Sequence, residues 1–278
     1  MVSIISNAVN PDTVNSGLVS NKVLTPRLAG SWLHTFQSVM GSKPHKASFV
    51  VFDIGQSGCM MLSKWFNAHE SITFQEDILS RPVRFPRMSV YQHVRQSQRA
   101  VYGFNVTVEQ LRQVQRMANP NQFLQDLRRG GCRVIALNRR DALRHAIATL
   151  KTYSINCRFD AVELNTRSNK VTVDVSELIA CLKYLDNQRV EAGAILHDIP
   201  HLSLTYEDDL IDINNHLATA ERLSSFLEIS NIKPVGSAIK LVHQQLADIV
   251  TNYDEMCEGI ERSDYAYLLT DSRYILTV

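Results

Sequence analysis

The sequence predicts a three-layer α/β/α fold with a central parallel sheet, and three observations predict it. Two short, largely apolar runs, Phe49–Phe52 and Cys132–Leu137, each pass through a turn into an amphipathic helix. A third apolar stretch, His201–Thr205, again leads into helical sequence. Parallel strands need a crossover between them, and a helix supplies it, so repeated strand–turn–helix units favour a parallel sheet.

The first unit is SFVVFDIGQSGCMMLSKWF, residues 48–66. Its β-branched and aromatic start reads as a buried strand near 48–53. Gly55-Gln56-Ser57-Gly58 breaks the pattern, and Met60, Met61, Leu62, Trp65 and Phe66 resume at helical spacing to about Ala68. A small-residue turn that opens a helix aims free backbone N–H groups, and the positive end of the helix dipole, at one spot. A bound phosphate or sulfate suits that spot. Ser71–Phe74 then reads as a second strand, which ends at Gln75-Glu76-Asp77 on the edge where α/β sheets gather ligands.

Residues 79–105 carry Arg81, Arg84, Arg87, Arg95 and Arg99 with Pro82 and Pro86 among them. They read as a basic excursion over the surface, either a solvated loop or a lid. Asn119-Pro120 starts a helix whose buried stripe is Phe123, Leu124 and Leu127, and Gly130-Gly131 ends it. CRVIAL follows as the clean strand 132–137. It leads through Asn138-Arg139-Arg140-Asp141 into a helix carrying Leu143, Ala146, Ile147 and Leu150 on one face. Val175 to about Ala192 is amphipathic through Leu178, Ile179, Leu182 and Leu185. After the 201–205 strand, helices are predicted around 216–227 and 237–253. Ahead of all this, residues 1–46 read as an N-terminal arm with a short helix at 32–40, and residues 47–278 as the α/β domain.

Composition narrows the function. The 278 residues are 45% hydrophobic with a net charge of +1, enough for a full core and without bulk attraction to nucleic acid or membrane. The five cysteines are scattered, and no CxxC pair supports a zinc site or a disulfide framework. No basic, apolar leader opens the sequence, and no run approaches the ~20 apolar residues of a membrane span. A soluble, cytoplasmic protein is the expectation. A P-loop nucleotide hydrolase fails on spacing: Gly-x4-Gly-Lys-Ser/Thr is absent, and no aspartate at a strand tip suggests a magnesium ligand. A hydrolase nucleophile elbow fails too, because Cys59-Met60 stands where its second glycine belongs.

Three stretches, in order, resemble the sulfotransferases that use 3′-phosphoadenosine 5′-phosphosulfate (PAPS). FVVFDIGQSGCMML is similar to the loop that cradles the 5′-phosphosulfate, RVIALNRRDALRHAIATL to the element that holds the 3′-phosphate, and HLSLTYEDDL to a stretch after a central strand. NYDEMCEGIERSDYAYLL is a weaker echo of the C-terminal region of bacterial members. The resemblance covers about residues 47–269. It implies PAPS as cofactor and PAP as product, with no metal. It places Gly55, Gln56, Ser57, Gly58, Cys59 and Met60 at the phosphosulfate. Arg139 or Arg140, with Ala148 or Thr149, falls at the 3′-phosphate. The residues themselves suit two anionic groups, since the loop supplies backbone donors for one and an arginine a forked guanidinium for the other.

Glu76 falls where the resemblance implies a general base, with Asp77 its nearest rival and His69 and His145 as alternatives. Two positions depart from the family. Gln56 stands where an Arg or Lys usually contacts the leaving and sulfuryl oxygens, so a cation must come from elsewhere, for example Lys64 or the 81–99 arginines. Ala148 stands where a serine usually meets the 3′-phosphate, and Thr149 is adjacent. Both an active sulfotransferase and a weak or inactive PAP-binding relative stay open. The acceptor expected is a small natural-product molecule with a hydroxyl or amine; a carbohydrate or peptide acceptor and a homodimer are left open.

Overall fold

The structure, a computed structural model, describes residues 46–157, 171–235 and 245–270. The expected arm and its 32–40 helix lie outside those residues. Five parallel strands run β1 Ala47–Asp53, β2 Ile72–Gln75, β3 Val101–Thr107, β4 Cys132–Asn138 and β5 Leu202–Thr205, in the spatial order β2-β3-β1-β4-β5. The principal helices are α1 Cys59–Ala68, α2 Pro86–Gln96, α3 Pro120–Arg129, α4 Ala142–Cys157, α5 Val175–Leu196 and α6 His216–Leu227. Short helices α7 Leu246–Ile249, α8 Tyr253–Glu261 and α9 Tyr267–Thr270 follow. Where one helix was expected across 237–253, α7 and α8 are separate, and residues 237–244 fall outside the described part.

Helices cover both faces of the sheet, so the strands bury residues on both sides and read as continuous apolar runs. Val50 and Phe52 of β1, with Phe104 and Val134, pack under α2, α3 and the C-terminal part of α5. Phe49 and Val51, with Ile72, Ile135 and Leu204, pack under α1 and α6 through Leu62, Trp65, Phe66, Leu223 and Leu227. The three layers are as the sequence predicts.

Residues 79–105 require a correction. They are no basic loop: Pro86–Gln96 is helix α2, and Val101–Thr107 is a strand between β1 and β2 in the sheet. The arginines are largely spent on structure. Arg99 donates to the carbonyls of His69 and Ile72, which closes the end of α1, and Arg87 pairs with Asp126 at 3.0 Å. Arg84 lies over the Phe85 ring.

A third apolar cluster, away from the sheet, joins α4, α5, α8 and α9 through Ala146, Leu178, Leu182, Met256, Ile260 and Leu268. Asn252 ties its entry by exchanging two 2.9 Å hydrogen bonds with the Val173 backbone. This packing holds α5 against α4, the helix that follows β4. No helix among the described residues is long and apolar enough to cross a membrane.

Candidate anion-binding site

The strand order decides where the site falls. The chain leaves β1 toward β2 on one side and leaves β4 toward β5 on the other, so a crevice opens between the ends of β1 and β4. The 54–58 loop and Asn138-Arg139-Arg140 meet there.

The loop is built from left-handed backbone: Gly55 at φ 86°, Gln56 at 49° and Gly58 at 97°. Gly58 is required twice over, because a Cβ there would lie 2.2 Å from the Tyr206 ring. Three contacts turn the loop's carbonyls inward. His145 Nε2 donates to Gly55 O at 2.7 Å, Ser57 Oγ donates to the same oxygen at 3.1 Å, and Arg139 Nη1 donates to Gln56 O at 3.0 Å. Asp53, at the tip of β1, accepts the Gly55 N–H at 2.5 Å. Among the described residues nothing accepts from the N–H groups of 56 to 60, which open α1. Successive N–H groups in such a turn form an anion-binding concavity.

Arg139 and Arg140 are brought to this edge, in unequal states. Arg140 is half-exposed, and its fork is bidentate to Asp208 with both bonds 2.8 Å. Arg139 is largely buried and lies over the Tyr206 ring at 4.7 Å. Burial lowers its pKa, but a guanidinium stays charged at neutral pH. Its Nε is buried without a hydrogen-bond acceptor, Glu207 standing 4.0 Å away. A cavity of about 380 Å³ opens here, lined by Ile54, Asn138, Arg139, Arg140, Arg189 and Thr205.

The stretch after β5 frames the site. Tyr206 is the shelf under both Arg139 and Gly58. Glu207 accepts the N–H groups of Arg140 and Asp141 at 2.9 and 3.0 Å, which sets the start of α4. Asp209 accepts from Thr205 N, Thr219 and Arg222, which ties β5 to α6. A shape-setting role therefore accounts for these residues.

Of the other positions named from the sequence, several sit differently. The Thr149 hydroxyl is buried and donates to His145 O at 2.8 Å on its own helix, so it is not offered to a ligand. Ala148, beside it, is partly exposed but has no hydroxyl. His69 caps the end of α1 ahead of β2 and bonds Ser230 and the Ser71 N–H, at the sheet edge opposite the site. It is no base for this crevice. Burial raises the Cys59 thiol well above its usual range, so it stays protonated. Met60 is 65% exposed at the start of α1, and Lys64 is exposed further along it.

Glu76 is exposed just past β2, and its charge reaches the Cys59 thiol. Its neighbour Asp77 is held tightly, with φ 57°, its N–H on Asn105 Oδ1 and its Oδ1 taking Gln110 Nε2, both at 2.8 Å. In the sequence, Asp53 looks like no more than the end of an apolar strand. It is 3% exposed, and burial, with a smaller push from Asp77, raises its carboxyl to about 7. His145 is fully buried and pushed down to about 3, first by burial and then by Arg139 and Arg189. It is neutral at pH 7, and because Nε2 faces a carbonyl, Nε2 carries the proton. Among the described residues no cluster of His, Cys, Asp and Glu is arranged to hold a metal ion.

Compared with solved structures, the chain is similar to a mouse sulfotransferase, SULT7A1, in a crystal structure complexed with PAP. The TM-score is 0.46 at 14% identity, covering 86% of this chain and 94% of that one. It is also similar to the sulfotransferase STF9 from Mycobacterium avium, with a TM-score of 0.44 at 10% identity, covering 87% of this chain and 80% of that one. No protein-family model matches the chain, and neither does any curated protein. Likeness at this level leaves the activity to be read from the site itself.

Proposed function

We propose that this protein is a PAPS-dependent sulfotransferase acting on a small acceptor. The observation that carries the reading is the meeting of Arg139 with the positive-φ loop at the β1–β4 crevice. A nucleotide with anionic groups at two ends needs two kinds of donor, and the crevice offers both. The N–H groups of residues 56–60 suit the 5′-phosphosulfate, and the Arg139 guanidinium, with its buried and unpartnered Nε, suits the 3′-phosphate. When bound, PAPS supplies the sulfuryl group: a bond forms from the acceptor oxygen or nitrogen to sulfur as the bond from sulfur to the phosphate oxygen breaks.

The chain's own residues then have three tasks. The pinned carbonyls keep the loop's N–H groups aimed outward before any ligand arrives, which is preorganisation. Arg139, held against Gln56 O, ties the loop to the guanidinium that takes the 3′-phosphate, so the two anion sites keep a fixed relation. Glu76 is proposed to take the acceptor's proton, being the exposed carboxylate whose side chain makes no hydrogen bond among the described residues, while Asp77 is tied down. Met60, exposed at the loop, gives the apolar part of an acceptor a surface to lie on. A natural-product alcohol or amine, met in the cytoplasm, is the acceptor class proposed, by analogy alone.

A second reading has its own support. Gln56 at the loop and Asp53 beneath it both reduce positive charge where the leaving group would sit, which favours a PAP-binding protein with slow or no turnover. One experiment separates them. Calorimetric titration with PAP is paired with transfer of labelled sulfate from PAPS to a panel of small alcohols and amines. Binding with transfer supports the enzyme, and binding without transfer on any acceptor supports the second reading. No PAP binding by a folded protein overturns both.

A further inference from the structure

Arg189 lies on α5, fifty residues beyond Arg139 in sequence, and nothing in its local pattern marks it as a ligand. The fold brings it to the same cavity as Arg139 and Arg140. Three guanidinium groups around one cavity repel one another unless anions sit among them. The nearby acids answer only part of this. Asp186 takes Arg189 Nη1 at 2.9 Å and also accepts the Tyr265 hydroxyl at 3.0 Å, while Asp208 takes the Arg140 fork. Yet Nη2 of Arg189 and Nε of Arg139 are both buried with no acceptor among the described residues. Buried donors are almost always satisfied, since leaving one unmade costs free energy, so two orphans beside one cavity indicate an acceptor shared between them.

His145, buried beneath Gly55, is held neutral first by its burial and then by the charges of Arg139 and Arg189, so both guanidinium groups lie near its ring.

We propose that Arg189 is a further anion ligand of this cavity, and that with Arg139 it holds one dianionic phosphomonoester, the 3′-phosphate of the bound nucleotide. The assignment rests on the PAP reading above. It answers what replaces the hydroxyl that Ala148 lacks and Thr149 turns away: a second guanidinium from another helix. The 5′ end of the nucleotide stays with the loop, which Arg189 does not touch.

The test compares Arg189→Met, Arg189→Lys and Asp186→Asn with wild type, using PAP, adenosine 5′-monophosphate and inorganic phosphate as probes. Arg189→Met is expected to weaken PAP about 10- to 100-fold, the usual loss for a charged hydrogen bond, and the monophosphate less than about twofold. Arg189→Lys keeps charge and the Asp186 pair but loses the fork, and is expected to recover only part of the loss. Asp186→Asn removes the ion pair while leaving the guanidinium, so PAP affinity is expected to hold or tighten. A merely structural Arg189 predicts the reverse, with Arg189→Met and Asp186→Asn changing together. Unchanged PAP affinity in Arg189→Met, or an equal loss for PAP and the monophosphate, overturns the inference and leaves the sulfotransferase reading standing. Phosphate binding that depends on Arg189 in a wild-type protein that ignores PAP supports the anion site and removes the nucleotide. Wild type that binds neither PAP nor phosphate removes both.

Discussion

Replacing Asp53 by asparagine isolates the carboxylate that takes the Gly55 N–H beneath the anion loop. The Asp53 carboxyl titrates at about 7 in the folded protein against 3.8 ordinarily, because burial disfavours its charged form. The sign follows from proton binding. Between those two values the folded state keeps a proton that the unfolded state has released, so stability is full below about pH 4 and is lost as pH rises toward 7. Each pH unit of that window is worth about 1.4 kcal/mol, so the loss reaches about 4 kcal/mol at most. Asparagine keeps the oxygen that accepts the Gly55 N–H and cannot ionise. His145 works oppositely: held at about 3 against 6.5, it costs stability as pH falls below 6.5. It is common to both proteins and cancels in the difference. Urea unfolding of the two at about pH 4, 5.5 and 7.5 should therefore show Asp53→Asn gaining about 3–4 kcal/mol on wild type across the range. PAP affinity of wild type should fall as pH rises through about 7, and that of the variant should not. Stability curves that stay parallel from pH 4 to 7.5 would refute the reasoning, because Asp53 would then titrate alike in both states.

Three further outcomes are expected. Arg139→Met should weaken PAP about 10- to 100-fold, whereas Arg140→Met should cost much less, because the Arg140 fork is engaged by Asp208; paired calorimetric titrations compare them. Glu76→Gln should leave PAP affinity intact and lower turnover ~10²–10⁴-fold on an alcohol acceptor at saturating PAPS, and equal turnover would place the base elsewhere. Gly58→Ala should destabilise the fold by about 1–3 kcal/mol in thermal melts and weaken PAP, since the new methyl meets both a left-handed φ and the Tyr206 ring. Adding Tyr206→Ala should relieve only the steric part.

Much of this was legible in the sequence because it is local. The apolar runs at 48–53 and 132–137 report burial on both faces, and the helices that follow show their faces through 3.6-residue spacing. Gly55 and Gly58 announce a turn that needs left-handed backbone, and Arg139 stands where any chain leaving β4 meets the ligand edge. β3 was not legible. Val101–Thr107 is interrupted by Gly103 and Asn105 and preceded by arginines, so its pattern reads as surface. Gly103 is there because the Phe49 ring covers it, leaving 2.3 Å for any Cβ. Asn105 is there because its side chain receives the Asp77 N–H. One reason lies on the neighbouring strand β1 and the other just past the end of β2, both beyond the reach of a linear pattern.

By itself, then, the sequence determined the sheet class, the loop and the pair of arginines from which the site is drawn. Only tertiary structure decided which arginine keeps a donor open, because the choice turns on Asp208 claiming Arg140 and Tyr206 supporting Arg139. It also decided that Asp53 is buried to a carboxyl near 7, that Thr149 faces its own helix, and that Arg189 joins the cavity from α5. Charge, unlike apolar periodicity, takes its meaning from whatever the fold places within a few ångströms of it.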